Sequence, residues 1–309
     1  MKEEKGTFWE GFWQLADPKI WVASTVPMLV AVSLSWKDGY FNLYWFIWSL
    51  LGVYCMEIGK NAFNEYVDFK AGIDNSIRPE NRTPFSGGKK TIVQGKLELA
   101  DTMKIGIATT LLGALIGLYI AFFREFSVLW IGLAGFFFAT FYSLPPFKFN
   151  YQGAGEFLVG FTFGPLIMAG TYLVQTHDVS LELLLASLPL GILIANILWI
   201  NQYPDYEADA RGGKRNWLVR IGKEKGVNVY RWLFYSSYLT IIILAVYTAN
   251  PFWLLALLTY PLARRAVKVA REHYDNIPEM IEANARTVQI YQLTGLAMII
   301  ASILGRLIL

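Results

Sequence analysis

The chain has 309 residues, of which 55% are hydrophobic, 16% aromatic and only 17% charged, which excludes an ordinary soluble domain and points to an integral membrane protein. Its net charge of +3 is small and its basic residues are confined to a few loops, which argues against a nucleic-acid partner and for loops facing anionic lipid or ligand. A single cysteine, Cys55, lies inside an apolar run, so neither a disulfide framework nor a thiolate metal cluster is available.

Residues 1–17 lack the basic start, short apolar core and small-residue cleavage site of a signal peptide. Their aromatics, Phe8, Trp9, Phe12 and Trp13, instead predict an amphipathic interfacial helix. Nine apolar segments then follow that are suited to crossing about 30 Å of hydrocarbon: 19–36, 41–65, 99–122, 127–143, 154–174, 181–203, 226–248, 251–270 and 287–308. Connections as short as 37–40 and 249–251 make their flanking helices antiparallel neighbours in one bundle. The expected fold is therefore all-α and polytopic, a single membrane domain over 1–309. Lys and Arg cluster after spans two, four, six and eight, which places those loops and the N-terminus in the cytoplasm.

Span two ends in NEYVDFKAGID (64–74) and span six in NQYPDYEAD (201–209), so the pattern Asn-x-Tyr-x-Asp-aromatic-x-Ala occurs twice, leaving the membrane on the same side. Both spans are expected to run unbroken, unlike the interrupted helices of many transporters. On a helix Glu57, Asn61, Asn64 and Asp68 share one face, as do Asn201, Asp205 and Asp209. Carboxylates at that depth face a bundle interior or a wet cavity, so two stripes imply one polar chamber with a cytoplasmic mouth. Asp74 departs from the helical spacing, and Gly72 is placed to end the helix and let the loop bring Asp74 back.

Hard oxygen donors without His or Cys suit Mg²⁺, and each acidic motif is followed by a basic loop. The first loop supplies Arg78, Arg82, Lys89 and Lys90, the second Arg211, Lys214, Arg215 and Arg220. Acid followed by base matches a magnesium-bridged diphosphate. The same aspartates also read as solvated helix-end charges paired with those cations, and Glu57 with Lys60 as either a structural pair or part of a site. Residues 75–96 have the composition of a lid, rich in Pro, Gly and mutually repelling cations. SGGKK at 86–90 lacks the spacing of a nucleotide-binding loop, and His177 reads as a solvated loop residue.

These residues resemble the UbiA superfamily of intramembrane prenyltransferases over nearly the whole chain. The displaced form of the first motif, Asn64, Asp68, Gly72 and Asp74, resembles the menaquinone branch, the 1,4-dihydroxy-2-naphthoate prenyltransferases. Asp205 and Asp209 match the second motif, and Tyr142, Pro146, Tyr151, Gly155, Glu156 and Gly160 match a third stretch. The resemblance implies nine transmembrane helices around a central cavity open to lipid, active-site loops at 66–98 and 204–225, and Mg²⁺ as cofactor. It implies a prenyl diphosphate of geranylgeranyl length or longer and an aromatic acceptor as substrates, with no obligate protein partner. Asn64, Asp68, Asp74, Asp205 and Asp209 would bind the metal, and Asn64, Arg78, Arg82, Asn201, Lys214 and Arg215 the diphosphate. Tyr142 and Lys148 would steady the cation or the leaving group. Related branches use 4-hydroxybenzoate or geranylgeranylglyceryl phosphate as acceptor, and a lipid or anion transporter is the competing class.

Overall fold

The apolar runs become helices, here in a computed structural model that describes residues 7–77, 81–85 and 89–309. Helix α1 (Phe8–Ala16) starts at Thr7, whose hydroxyl accepts from the Glu10 amide at 3.3 Å while the Glu10 carboxylate accepts from the Thr7 amide at 3.1 Å. This reciprocal cap satisfies two amides that a helix start otherwise orphans. One face of α1 exposes Trp9 and Trp13, and the other buries Leu15 and Ala16 against Ile58, Ala62, Leu97 and Ile105.

The order continues with α2 (Val22–Lys37), α3 (Leu43–Lys70), the short α4 (Ile73–Ser76), α5 (Leu99–Phe123), α6 (Val128–Phe141), α7 (Gly155–Phe161) and α8 (Ile167–Thr176). It ends with α9 (Leu181–Asn201), the short α10 (Tyr206–Arg211) and α11 (Trp217–Ile221), then α12 (Lys223–Thr248), α13 (Tyr260–His273) and α14 (Ile277–Ile308). Six helical stretches of the described residues are long and apolar enough to cross a membrane: Phe8–Lys37, Leu99–Phe123, Gly155–Thr176, Leu181–Asn201, Lys223–Thr248 and Ile277–Ile308. The chain is an integral membrane protein of all-helical class. The other three expected spans coincide with helices that fall short for identifiable reasons. Helix α3 has 28 residues but carries Glu57, Lys60, Glu65 and Asp68; α6 has only 14; and residues 251–273 begin as a 3₁₀ segment, Pro251–Thr259, before α13.

Helices α3 and α9, which lead into the two acidic motifs, run unbroken as expected, α9 even through Pro189. The interruption lies elsewhere. Between α7 and α8, Thr162–Leu166 opens into a π turn that contains Pro165, the residue that cannot donate to the helical ladder. Gly160 and Gly164 let this composite helix approach α9 closely, as small residues do where helices pack within a membrane. A Cβ on Gly191 would stand 2.6 Å from the Gly160 carbonyl oxygen, and one on Gly164 would stand 2.7 Å from Gly191 Cα. Because the obstructing atoms are backbone, Gly191→Val should lower stability by at least about 1–3 kcal/mol, the usual cost of overpacking. Its thermal unfolding in detergent measures this, and an unchanged transition would disprove the close contact. Behind this seam lies the main core, where Tyr203, Tyr230, Phe234, Trp253 and Tyr291 are fully buried.

Candidate active site

The last turns of α3 present Asn64 and Asp68 four residues apart on one face. Asp68 is 4% exposed. Its Oδ2 accepts from Asn64 Nδ2 at 2.5 Å and from Lys214 Nζ at 2.6 Å, and its Oδ1 accepts from the Tyr151 hydroxyl at 2.8 Å. Lys214 Nζ also stands 3.4 Å from Asp209 Oδ1, while Asp209 Oδ2 accepts from Asn216 Nδ2 at 2.9 Å. One buried ammonium therefore joins the two acidic motifs.

Helix α3 ends at Lys70, and Gly72 follows with a φ of +74°, one that a residue with a Cβ rarely adopts. The reversal starts α4 and returns Asp74 to a 4% exposed position beside the cluster, as the displaced spacing predicts. A small apolar staple of Ile73, Ile77 and Ala208, with Tyr151 against it, holds α4 on α10 and so fixes the distance between the motifs.

Charge dominates the cluster. Burial, then the neighbouring Asp68 and Glu65, push the Asp74 carboxyl up to about 9. Burial also raises Asp209, against the lowering influence of Lys214. Burial would depress the Lys214 ammonium, but Asp209 and Asp68 outweigh it and hold the group well above the ordinary lysine range. Lys90 is lowered by burial and by Arg82, against the attraction of Asp205 and Asp74, and its Nζ donates to the Thr83 carbonyl at 3.2 Å.

The donor set fits a hard divalent cation. Its oxygens are carboxylate and amide, and Asp74 Oδ2 is buried with no hydrogen-bond partner among the described residues. No three His, Cys, Asp or Glu residues among those described are gathered closely enough to hold a metal. Lys214 stands between Asp68 and Asp209 instead.

Of the expected residues, direct contacts join Asn64, Asp68, Asp209 and Lys214, with Asp74 buried beside them and Asp205 within electrostatic reach of Asp74. Lys148 sits 5.2 Å over the Tyr151 ring, and Lys214 lies 5.4 Å from that ring. Tyr142 is buried, with Lys60 Nζ 5.8 Å over its ring. Arg215 is exposed and contributes its amide, which donates to the Tyr151 carbonyl at 2.8 Å. Asn201 is engaged by another helix, since its Oδ1 accepts from Asn284 Nδ2 of α14 at 2.8 Å. Arg78 lies outside the described residues. His177 is not simply solvated, because its Nδ1 meets Glu125 Oε2 at 2.6 Å.

Glu65 and Asn284 have structural roles that the motif spacing does not announce. The Glu65 carboxylate, 2% exposed, accepts from the amides of Lys89, Lys90, Thr91 and Ile92 and from the Thr91 hydroxyl, at 2.6 to 3.3 Å. Lys89 Nζ meanwhile pairs with Asp17 Oδ2 at 2.7 Å. The expected lid over 75–96 is thus tied to α3 across 89–92, and the first five residues of the expected loop 66–98 are still helix α3. Glu65→Ala should orphan amides that cost roughly 1–3 kcal/mol each. Trypsin should then cut after Lys89 or Lys90 at least about 10-fold faster than in the parent protein, since cleavage follows local opening. Equal rates would mean the clamp does not hold the turn.

Beside the cluster, an apolar cavity of about 370 Å³ runs between α3, α5, α6 and the α7–α8 helix. Glu57, Lys60 and Tyr142 line its end near the acids, and Ser49, Val128 and Val174 line the other. Among the described residues Glu57 and Lys60 form no ion pair within 4.0 Å, although three residues apart; both line the cavity. From α6, Phe136 and Phe138 contribute to the wall.

Known proteins resemble this chain in sequence and in fold. Residues 24–281 match the model of the UbiA prenyltransferase family. A Bacillus subtilis 1,4-dihydroxy-2-naphthoate octaprenyltransferase is 26% identical over 92% of this chain and 90% of its own length. A Synechocystis 2-carboxy-1,4-naphthoquinone phytyltransferase is 26% identical over 91% and 89%. A UbiA homolog from Archaeoglobus fulgidus, solved bound to DMAPP and Mg²⁺, shares the fold with a TM-score of 0.65 at 14% identity, over 96% of this chain and 99% of that one. With the family model spanning both acidic motifs and the cavity walls between them, the chain belongs to the UbiA prenyltransferase family and is a membrane-embedded prenyltransferase.

Proposed function

We propose that this enzyme transfers a polyprenyl group from a prenyl diphosphate to 1,4-dihydroxy-2-naphthoate, in a Mg²⁺-dependent reaction at the cytoplasmic face of a nine-helix domain. The observation that carries it is the junction of a buried acidic cluster with the mouth of an apolar cavity: Asp68, Asp74 and Asp209 on one side, Tyr142 and Lys60 on the other. A diphosphate head and a hydrocarbon tail need those two environments in contact. Helices α3, α6 and residues 251–273 supply the remaining three spans, and the basic loops orient the acidic end inward. Membership in an enzyme family sets transport aside.

Asn64, Asp68, Asp74, Asp205 and Asp209 would hold magnesium, which when bound supplies the positive charge that stabilises the departing diphosphate. Lys214, Arg82 and Lys90 offer further charge to its oxygens; Arg78 and Arg215 remain candidates from sequence. The allylic C–O bond breaks with its electron pair leaving on the diphosphate, the ring of the acceptor donates a pair to the allylic carbon, and the attacked ring carbon then loses its own substituent, a proton or the carboxylate as CO₂, whose bonding pair returns to the ring. The Tyr142 ring beside the cavity mouth suits stabilisation of positive charge there, and the Lys148 ammonium suits the leaving group. Apolar walls around the tail exclude the water that would otherwise capture the cation.

The naphthoate relatives favour an acceptor with a carboxylate, and Lys60 is a cation suited to it. Its ammonium lies 5.8 Å from the Tyr142 and Phe163 rings on the cavity wall. Lys60→Met should raise KM for 1,4-dihydroxy-2-naphthoate about 10-fold, the loss of one modest charged contact, and leave KM for the prenyl diphosphate unchanged. Purified protein in lipid nanodiscs with Mg²⁺, geranylgeranyl diphosphate and a panel of acceptors tests the reaction by mass detection. Prenylated naphthoate is the expected product; prenylation of 4-hydroxybenzoate or geranylgeranylglyceryl phosphate alone would replace this acceptor.

A further inference from the structure

A second cavity, of about 350 Å³, opens between α12 and α13, away from the acidic cluster. Its wall carries Arg231, Arg264, Lys268 and Arg271 against one carboxylate, Glu272, so four cations less one anion leave three net positive charges. Glu272 is already approached by Lys268 at 3.9 Å. Neighbouring cations are matched: Arg265 and Arg286 share Glu282 at 2.9 and 2.7 Å. Among the described residues Arg264 and Arg271 have no ion pair or side-chain hydrogen bond, and Arg231 Nε is buried without an acceptor. A buried guanidinium N–H lacking an acceptor calls for an anionic oxygen from outside the chain.

The surroundings identify the source of that oxygen. Arg231 lies eight residues along α12 from Lys223, which ties to Asp275 at 3.4 Å at the acidic end of the bundle. Eight residues are about 12 Å of helix, less than half of the roughly 30 Å hydrocarbon core, so Arg231 lies in the half of the bundle nearer the acidic end. Tyr235 and Tyr260 flank the cavity, each 40% exposed, as aromatics at a membrane interface are. From Tyr235 the exposed residues Leu239, Ile242 and Val246 continue down one face of α12 at helical spacing. A cationic pocket leading into an outward apolar stripe matches a molecule with a phosphate head and acyl chains.

We propose that the α12–α13 cavity binds the phosphate headgroup of an anionic phospholipid from the leaflet on the acidic-motif side, with Arg231, Arg264 and Arg271 as its contacts. The test is native mass spectrometry of delipidated protein in detergent titrated with phosphatidylglycerol or phosphatidylcholine. The parent protein should prefer phosphatidylglycerol at least about 10-fold, and Arg264→Gln with Arg271→Gln should abolish the preference while unfolding temperature and turnover in detergent stay at the parent values. Arg231→Gln provides the same comparison should the double variant not fold, and Arg265→Gln, paired with Glu282, should retain the preference. Equal binding of the two lipids by the parent protein, or an undiminished preference in both cavity variants, overturns the proposal. Displacement of phosphatidylglycerol by an equal concentration of inorganic phosphate also overturns it, because the site would then serve a free anion.

Discussion

Asp68→Asn is expected to cut kcat by about 10²–10³-fold, the range for loss of one preorganised group that acts on transition-state charge. The amide keeps the size of the side chain and an oxygen for the Tyr151 hydroxyl, which donates at 2.8 Å. What disappears is the charge facing Lys214 at 2.6 Å and any divalent cation. Asp205→Asn should behave alike if the second motif holds the same cation. Circular dichroism and the unfolding temperature establish that the variants fold, and product mass at saturating Mg²⁺ gives the rates. Near-parent turnover in both would remove the aspartates from the metal-binding role.

Lys214→Met is the complementary experiment, with stability as its readout. Exposed ion pairs contribute at most about 1 kcal/mol, but the side chains of Lys214 and Asp68 are only 12% and 6% exposed. Removing one partner of a buried pair costs about 3–5 kcal/mol, because the other charge is left uncompensated. In chelator the variant should therefore unfold several degrees earlier than the parent, and Mg²⁺ should restore more stability to it than to the parent. A loss no larger than that of a surface pair, or no added response to Mg²⁺, would sink the idea that the ammonium serves as counter-ion between the motifs.

Much of this was legible because helical spacing is short-range information. Asn64 with Asp68, and Asp205 with Asp209, are each four residues apart, and Gly72 before Asp74 marks the reversal that the structure contains. The glycines facing Gly191 are likewise readable, since only small residues permit that approach. Other features depend on partners distant in the chain. Glu65 looks like one more acid in an acidic turn, yet it binds backbone amides 24 to 27 residues later, and amides leave no mark on residue identity. Asn201 completes the second stripe by spacing, but its partner Asn284 is 83 residues away. Composition also overstates uniformity among the spans, because α3 mixes a membrane-length helix with the acids and the lysine of the site.

The π turn at Thr162–Leu166 sets the phase of everything beyond it. Leu158 and Val174 both line the large cavity. At about 100° per residue, an uninterrupted α-helix would carry the second of them about 160° around the axis from the first, onto the opposite side. One inserted residue takes back about 100° of that rotation, so a single surface faces the cavity from the end near the acids to the far end. The insertion works like a vernier between the glycine contact with α9 and the wall beyond it. Shortening this segment by one residue would leave the wall near the acids in register and turn only the distal wall, so on the proposed function the space for the tail can change separately from the groups around the diphosphate.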